Sequence, residues 1–222
     1  MSKILKAICV LLPWVLRRRI LNSYFGYEID PCARIGLSWI YPKKLIMKAH
    51  SKIGHLNTGI HLDIMELGEY ASIGRSNWIT GFPTGINSKH FAHQPERSSH
   101  FILGNHSAIT KNHHLDCTHK LSIGKYVTIA GYQSQFLTHS IDIFENRQDS
   151  KPIEIGDYCF VSTNVTILGG AKLPNYSVLG AKALLNKPYT ESWKLYGGIP
   201  ARILNDIPKN AEYFNRKTGF VN

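Results

Sequence analysis

The sequence predicts an all-β solenoid, in which short strands build triangular coils that stack on one another. The main observation is an aliphatic residue at every sixth position from residue 155 to residue 185. These anchors are Ile155, Val161, Ile167, Leu173, Leu179 and Leu185. A small or medium residue follows each of the first five anchors four places later. A period of six fits neither an amphipathic helix nor an alternating strand, and hexapeptide repeats are a signature of solenoids.

Three six-residue sides close a coil of roughly 18 residues, and coils must stack because one coil cannot bury its own interior. We predict this β-helix over residues 23–188. The first coils are irregular, as is common for a coil that caps a stack. Two segments interrupt the repeat and are predicted to project as loops, at about 81–100 and 139–153. The first loop carries His90, His93 and His100, which either line a site or are simply solvated.

The ends of the chain differ from the coils. Residues 1–22 form a basic amphipathic segment, predicted to contain a short helix. Its longest uncharged run, from Ala7 to Leu16, is interrupted by Pro13 and is too short to span a bilayer. Two interpretations stay open for residues 3–21: contact with a membrane surface, or packing on the first coil or on a neighbouring subunit. Residues 189–222 are predicted to close the last coils and to include a short helical tail.

Composition narrows the classes of partner. The 222-residue chain is 43% hydrophobic and carries a formal net charge of +11, which favours anionic partners. No nucleic-acid-binding motif accompanies the basic charge, so nucleic acid is not expected. The four cysteines form no C-x-x-C pair, which argues against a disulfide framework and a zinc knuckle. A reducing, cytoplasmic setting is therefore expected.

Three features carry a resemblance to a known family. They are the repeat IGDYCFVSTNVTILGGAKLPNYSVLGAKALL, the segment Leu137–Asp142, which reads LTHSID, and GGIPARIL at residues 197–204. The sequence resembles the hexapeptide-repeat acyltransferases, in the branch of maltose, galactoside and chloramphenicol acetyltransferases and the polysaccharide O-acetyltransferases. This resemblance implies a left-handed parallel β-helix, a homotrimer with sites between neighbouring coils, and acetyl-CoA as cosubstrate, with no metal.

The resemblance also implies roles for individual residues. His139 matches the catalytic histidine of the T-H-x-x-D segment, and imidazole suits general-base catalysis because its pKa lies near neutrality. Asp142 matches the Asp of that segment and either orients His139 or only shapes the loop. The candidates for binding the acceptor substrate lie in the irregular region one coil earlier. They are His113, His114 and Asp116.

The donor-binding candidates come from the later coils. Thr163 and Ala181 match positions along the pantetheine arm of coenzyme A in the family, and Lys187 and Arg202 match cations near its phosphates. Either cation could instead be an ordinary solvated charge, and His113 and His114 could be packed corner residues.

The sequence thus predicts an enzyme that transfers an acetyl group from acetyl-CoA to a sugar hydroxyl, in the biosynthesis of a surface polysaccharide. It would work in the cytoplasm, with peripheral contact to the inner face of the membrane. The main alternative is a small acceptor such as a free sugar or an antibiotic. A γ-carbonic-anhydrase-type metal lyase is disfavoured because the matching coil, VSTNVTILGG, has no histidine. A non-catalytic β-helix scaffold is the remaining alternative.

Overall fold

The computed structural model describes residues 3–219 and 221. The first elements are the helices α1 (Lys3–Leu11) and α2 (Trp14–Phe25). Within the described residues, the chain then winds through seven coils of short strands and ends in an antiparallel pair and one 3-10 turn. Residues 1, 2, 220 and 222, which belong to the predicted terminal segments, lie outside the described residues.

Each coil contributes one strand to each of three parallel sheets, named A, B and C in chain order. The first four coils contain β1 (Glu28–Ile29), β2 (Arg34–Ile35), β3 (Trp39–Tyr41); β4 (Lys44–Met47), β5 (Lys52–Ile53), β6 (Thr58–Ile60); β7 (Ile64–Leu67), β8 (Ser72–Arg75), β9 (Trp78–Thr80); and β10 (His100–Leu103), β11 (Ala108–Lys111), β12 (His114–Asp116). The fifth coil contains β13 (Leu121–Ile123), β14 (Thr128–Ile129) and β15 (Gln135–Leu137), and a hairpin of β16 (His139–Asp142) and β17 (Arg147–Ser150) follows it. The last elements are β18 (Ile153–Ile155), β19 (Phe160–Val161), β20 (Thr166–Leu168); β21 (Lys172–Leu173), β22 (Val178–Leu179), β23 (Leu184–Leu185); β24 (Lys194–Gly197), β25 (Arg202–Asp206); and the 3-10 turn Glu212–Asn215.

The aliphatic anchors fill the interior of the stack. Between residues 155 and 185, all six anchors are buried, and four of the five small residues between them are buried as well. Strands in the same sheet pair in parallel, so that Ile155 lies beside Leu173, 18 residues later. Burial of these side chains against the coils above and below is the main stabilising contribution.

Three successive coils depart from this pattern at one corner, where the chain passes from sheet C to sheet A. A loop leaves the third coil between β9 and β10, and the hairpin β16–β17 leaves the fifth coil. Between them, residues 117–120 lengthen the fourth coil, and Leu103 accordingly pairs with Ile123, 20 residues later. The three interruptions lie one above another because the coils stack in register. We call this edge of the molecule the interrupted corner.

The helices α1 and α2 cover the amino-terminal end of the stack. Arg17 is buried and donates hydrogen bonds of 2.8 Å to the carbonyl oxygens of Gly36 and Ser38 in the first coil. Tyr41 donates its hydroxyl to the Lys6 carbonyl at 2.8 Å, which ties α1 to the same coil. Leu21 is buried beneath α2. No helix within the described part of the chain is long and apolar enough to cross a membrane.

Candidate active site

A pocket of about 300 Å³ opens at the interrupted corner. Its walls come from three successive coils and from both of the projecting segments. The lining residues are Thr80, Gly81, Phe82, His90, Phe91, Asp116, Thr118, His139 and Gln148. Stacking of the coils therefore brings together residues that are as many as 68 positions apart in the sequence.

His139 and Asp116 form a hydrogen-bonded pair in this pocket. The Nδ1 atom of His139 lies 2.8 Å from Oδ2 of Asp116. The imidazole is 43% exposed, whereas the carboxylate is only 4% exposed. His139 is the first residue of the hairpin, and Asp116 is the last residue of β12, one coil earlier. The pair thus consists of an accessible imidazole held by a buried carboxylate.

Several further donors hold the Asp116 carboxylate in place. Its Oδ1 accepts hydrogen bonds from the backbone N–H and the hydroxyl of Thr118, at 3.1 and 2.7 Å. Its Oδ2 accepts from the backbone N–H and the hydroxyl of Thr138, at 2.8 and 2.9 Å, and from the backbone N–H of His139 at 3.0 Å. A buried carboxylate is stable only with such partners, and these donors also fix its orientation.

The two groups shift the pKa of each other in opposite directions. Burial by itself would raise the pKa of Asp116, but the hydrogen bonds from His139, Thr118 and Thr138 outweigh burial and lower the pKa below its usual value. The hydrogen bond from Asp116 raises the pKa of His139 above 6.5, against the opposing effect of partial burial. Asp116 therefore stays ionised at neutral pH and stabilises the protonated form of His139.

This arrangement suits the imidazole for taking up a proton. A carboxylate beside Nδ1 holds the proton on that nitrogen, so the lone pair of the neutral ring is on Nε2. The imidazolium that forms when Nε2 accepts a proton is then stabilised by the neighbouring negative charge. The pair can act as a general base toward a hydroxyl group placed in the pocket.

The loop from the third coil supplies an apolar wall. Phe91 is 7% exposed and packs edge-on against His139, with the ring centroids 6.3 Å apart. The guanidinium of Arg97 lies 4.6 Å from the centre of the Phe91 ring. The same buried guanidinium donates hydrogen bonds to the carbonyl oxygens of Phe82 and Thr118, which fasten the loop to the fourth coil.

The loop is also joined to the hairpin. Gln94 donates its amide to Oδ1 of Asp149 at 2.7 Å, and Ser150 donates its hydroxyl to Oε1 of Gln94 at 2.6 Å. The two projecting segments therefore make one structure beside His139. Sequence reasoning treated them as separate loops and did not single out Phe91, Gln94 or Arg97, because no motif or spacing identifies them; only the break in the repeat marks their segment.

Asp142 does not contact His139. It lies at the far end of the hairpin strand, paired with Arg147, and its Oδ1 accepts the backbone N–H groups of Phe144 and Glu145 at 3.0 and 3.2 Å. These bonds shape the hairpin turn. Of the two carboxylates considered from sequence, the structure brings Asp116 to the histidine and uses Asp142 in the turn.

His113 lies inside the stack, away from the pocket. Its side chain is one member of a polar column in which each side chain accepts a backbone N–H group from the next coil. Asn57 accepts from Asn77, Asn77 accepts from His113, and Nδ1 of His113 accepts from Ser134. Burial lowers the pKa of His113 to about 4, which keeps the ring neutral. Its neighbour His114 is half-buried in sheet C and does not line the pocket.

The four donor-binding candidates lie on the later coils, outside the His139 pocket. Thr163 and Ala181 lie at the corner between sheets B and C in successive coils, and the N–H of Lys182 donates to the carbonyl of Thr163 at 3.1 Å. Lys187 and Arg202 both border an open groove of about 380 Å³. The structure thus brings these two cations together but does not join them to His139 within a single chain.

Metal-ligand geometry was also considered. In residues 3–219 and 221, no group of three or more His, Cys, Asp or Glu side chains could hold a metal ion.

Comparisons with known proteins agree with the fold. No family model matches the chain. YvoF of Bacillus subtilis (strain 168), which is named as an acetyltransferase, is 35% identical over 85 residues, which make up 38% of this chain and 47% of YvoF. The match therefore spans about half the length of that relative.

Two solved structures share the architecture. VCA0836 of Vibrio cholerae, described as a hexapeptide-repeat-containing acetyltransferase, matches with a TM-score of 0.51 and 25% identity over 64% of this chain and 73% of its own. VCA0836 has also been solved in complex with acetyl coenzyme A. NeuO, described as a polySia-specific acetyltransferase, matches with a TM-score of 0.50 and 19% identity over 84% of this chain and 85% of its own. These neighbours confirm the predicted left-handed β-helix and the resemblance to hexapeptide-repeat acetyltransferases.

Proposed function

We propose that this protein transfers an acetyl group from acetyl-CoA to a sugar hydroxyl, with His139 as the general base. The observation that carries the proposal is the contact of 2.8 Å between Nδ1 of His139 and the buried carboxylate of Asp116, at the wall of a pocket. The names of YvoF, VCA0836 and NeuO support acetyl transfer as the reaction class.

The proposed reaction uses His139 twice. Nε2 takes the proton of the acceptor hydroxyl while the oxygen attacks the thioester carbonyl of acetyl-CoA, which gives a tetrahedral intermediate. The intermediate then collapses, the carbon–sulfur bond breaks, and the imidazolium returns the proton to the departing thiolate. The products are the acetyl ester and free coenzyme A. Asp116 stabilises the imidazolium between the two proton transfers.

The loop and the hairpin would limit access of water to the thioester. Phe91 and Phe82 form the apolar side of the pocket, and Arg97 holds both rings in place through its contacts with them. Exclusion of water strengthens the interaction between the imidazolium and the carboxylate and suppresses hydrolysis of acetyl-CoA.

The donor would bind along the later coils. Thr163 and Ala181 offer small surfaces on successive coils, and the groove beside Lys187 and Arg202 offers positive charge for the phosphates of coenzyme A. Because these positions and His139 are separate within one chain, we propose that a homotrimer completes each site with the later coils of a neighbouring subunit. Cross-linking followed by mass measurement would test the trimer.

For the acceptor, we favour a glycan of a surface polysaccharide over a small molecule. The basic net charge of +11 and the named specificity of NeuO for polySia support an anionic glycan. The work would take place in the cytoplasm, where the donor is available. A free sugar or an antibiotic remains the second candidate because the pocket of about 300 Å³ would admit either.

Acceptor profiling tests the proposed function. Purified protein is mixed with acetyl-CoA and with sugar nucleotides, lipid-linked glycans, free sugars or small amines, and release of free thiol is followed. We expect release with a sugar-containing acceptor and a product that is heavier by one acetyl group at a hydroxyl. Acetylation of amines alone would contradict hydroxyl transfer, and no release with any acceptor would contradict the proposed function.

A further inference from the structure

The two amino-terminal helices expose an apolar surface on the side that faces away from the coils. Its members are Leu5, Ile8, Leu11, Val15 and Leu16, and we call this set the helical patch. Leu11 is 76% exposed, Val15 is 59% exposed and Ile8 is 52% exposed. The opposite sides of the helices, which carry Cys9 and Leu21, are buried against the first coil. Packing on that coil therefore does not account for the helical patch.

The charge around the helical patch has one sign. Residues 1–27 contain five Lys and Arg residues and no Asp or Glu. Arg17 is buried and used within the fold, but Arg19 is exposed and lies on the outer side of α2, between Val15 and Ser23 along the helix. Apolar side chains flanked by cations match the boundary between the acyl chains and the anionic headgroups of a bilayer.

We propose that the helical patch docks on an anionic membrane surface. The lipid surface complements both the apolar side chains and the positive charge. A second copy of this chain complements only the former, because two such faces would bring Arg19 of each near that of the other with no carboxylate between them. The helices lie along the surface rather than across the bilayer, in the manner of interfacial helices.

Docking in this way sets the height of the active site. The helices cover the first coil, and His139 leaves the fifth coil, four coil spacings away. Four spacings of about 4.8 Å and one helix diameter of about 10 Å place His139 roughly 30 Å from the bilayer. Together with the proposed function, on which this step rests, the height indicates an acceptor glycan anchored in the membrane and modified at a sugar far from its lipid end.

Vesicle co-sedimentation tests the surface without any need for acetyl-CoA or an acceptor. We expect the full-length protein to bind vesicles of phosphatidylglycerol and phosphatidylcholine, and to bind pure phosphatidylcholine vesicles much more weakly. The double variant Ile8→Glu/Leu11→Glu should bind the anionic vesicles about 10²-fold more weakly, because two apolar side chains no longer enter the interface. Arg19→Glu should weaken binding by about tenfold.

Matched variants on other surfaces serve as controls. Leu56 is an exposed aliphatic residue outside the helices, and Arg75 is an exposed arginine in sheet B. Leu56→Glu and Arg75→Glu should retain vesicle binding. Circular dichroism should show that all variants stay folded, because each change lies on the surface.

The outcomes separate this proposal from the proposed function. Loss of vesicle binding in the patch variants alone supports docking, whether or not an acceptor is ever acetylated. Equal binding of the patch and control variants would overturn it, as would no binding of the wild-type protein. Sedimentation that shows self-association abolished by Ile8→Glu/Leu11→Glu, with no vesicle binding, would assign the surface to a second copy and would also overturn it.

Discussion

Two corners of the same β-helix show opposite uses of the repeat. At the corner between sheets A and B, one ring from each of six successive coils, followed by Trp193, forms a continuous stack. The rings belong to His50, Tyr70, His106, Tyr126, Tyr158, Tyr176 and Trp193. Neighbouring centroids are 4.5–5.2 Å apart, close to the spacing between coils. At the interrupted corner, three successive coils depart from one another, and the candidate active site lies there.

The difference shows what repetition and interruption each contribute. Seven residues of the aromatic stack share the same left-handed backbone conformation, with φ between 55° and 63°. Each ring therefore repeats the geometry of the ring below and stabilises the corner. At the interrupted corner, the broken repeat lets side chains from the third, fourth and fifth coils face a common pocket. Regular coils act as the scaffold, and their interruption supplies groups of different chemistry.

Replacement of His139 should give the largest effect on this comparison. We expect His139→Ala to lower kcat/KM for acetyl transfer by about 10³-fold, because the general base is lost. The matched control is His61→Ala, since His61 is an exposed histidine at the same corner three coils earlier. It should stay within about twofold of wild type. Equal rates for the two variants would mean that the interrupted corner has no special role in the reaction.

His113 sharpens the comparison because it is a histidine with a role in the scaffold. Its pKa falls to about 4 in the folded protein, against 6.5 for an unperturbed histidine. Between these pH values the unfolded chain binds a proton that the folded chain does not, so the free energy of unfolding decreases as the pH falls from 6.5 to 4. The loss due to this residue is up to about 3 kcal/mol.

Urea denaturation at several pH values measures this contribution. His113→Asn should reduce the loss of stability in that pH window, because Asn57 and Asn77 occupy the equivalent place in earlier coils of the polar column. A variant with the same pH dependence as wild type would show that His113 does not titrate on unfolding.

The aromatic stack should give the smallest effect. Tyr126 has one ring on each side, with centroids 4.8 and 4.6 Å away. Tyr126→Ala should lower the free energy of unfolding by about 2 kcal/mol, because two stacked pairs are lost. Tyr132→Ala, at a half-exposed tyrosine outside the stack, should change it by no more than about 0.5 kcal/mol. Equal destabilisation by the two variants would show that stacking does not stabilise this corner.

The sequence was sufficient to predict the architecture. Six-residue spacing from Ile155 to Leu185 is a local signal, and each anchor is buried as the period requires. The aromatic stack was also present in the sequence, since each of its first six rings stands three residues before an aliphatic residue of sheet B. Coils of unequal length concealed that pattern: Tyr126 and Tyr158 are 32 residues apart, whereas Tyr158 and Tyr176 are 18 apart.

The arrangement of the site was harder to predict. The T-H-x-x-D segment identified His139, but nothing local shows which carboxylate it contacts. Asp142 is close in sequence, yet alternation along the hairpin and its bonds to the turn separate it from the imidazole. Asp116 reaches His139 only because one coil lies above another. Pairings across coils depend on the lengths of the intervening loops, which the repeat does not determine.

The pairing of His139 with Asp116 is the central claim, and the pH dependence of acetyl transfer tests it most directly. Because the neutral imidazole is the base, kcat/KM in the wild-type protein should fall as the pH drops through the raised pKa of His139. In Asp116→Asn, the rate at high pH should fall by about 10²-fold and the acidic limb should move to lower pH. Asp142→Asn should leave both unchanged. An acidic limb that stays in place in Asp116→Asn, or moves only in Asp142→Asn, would contradict the claim.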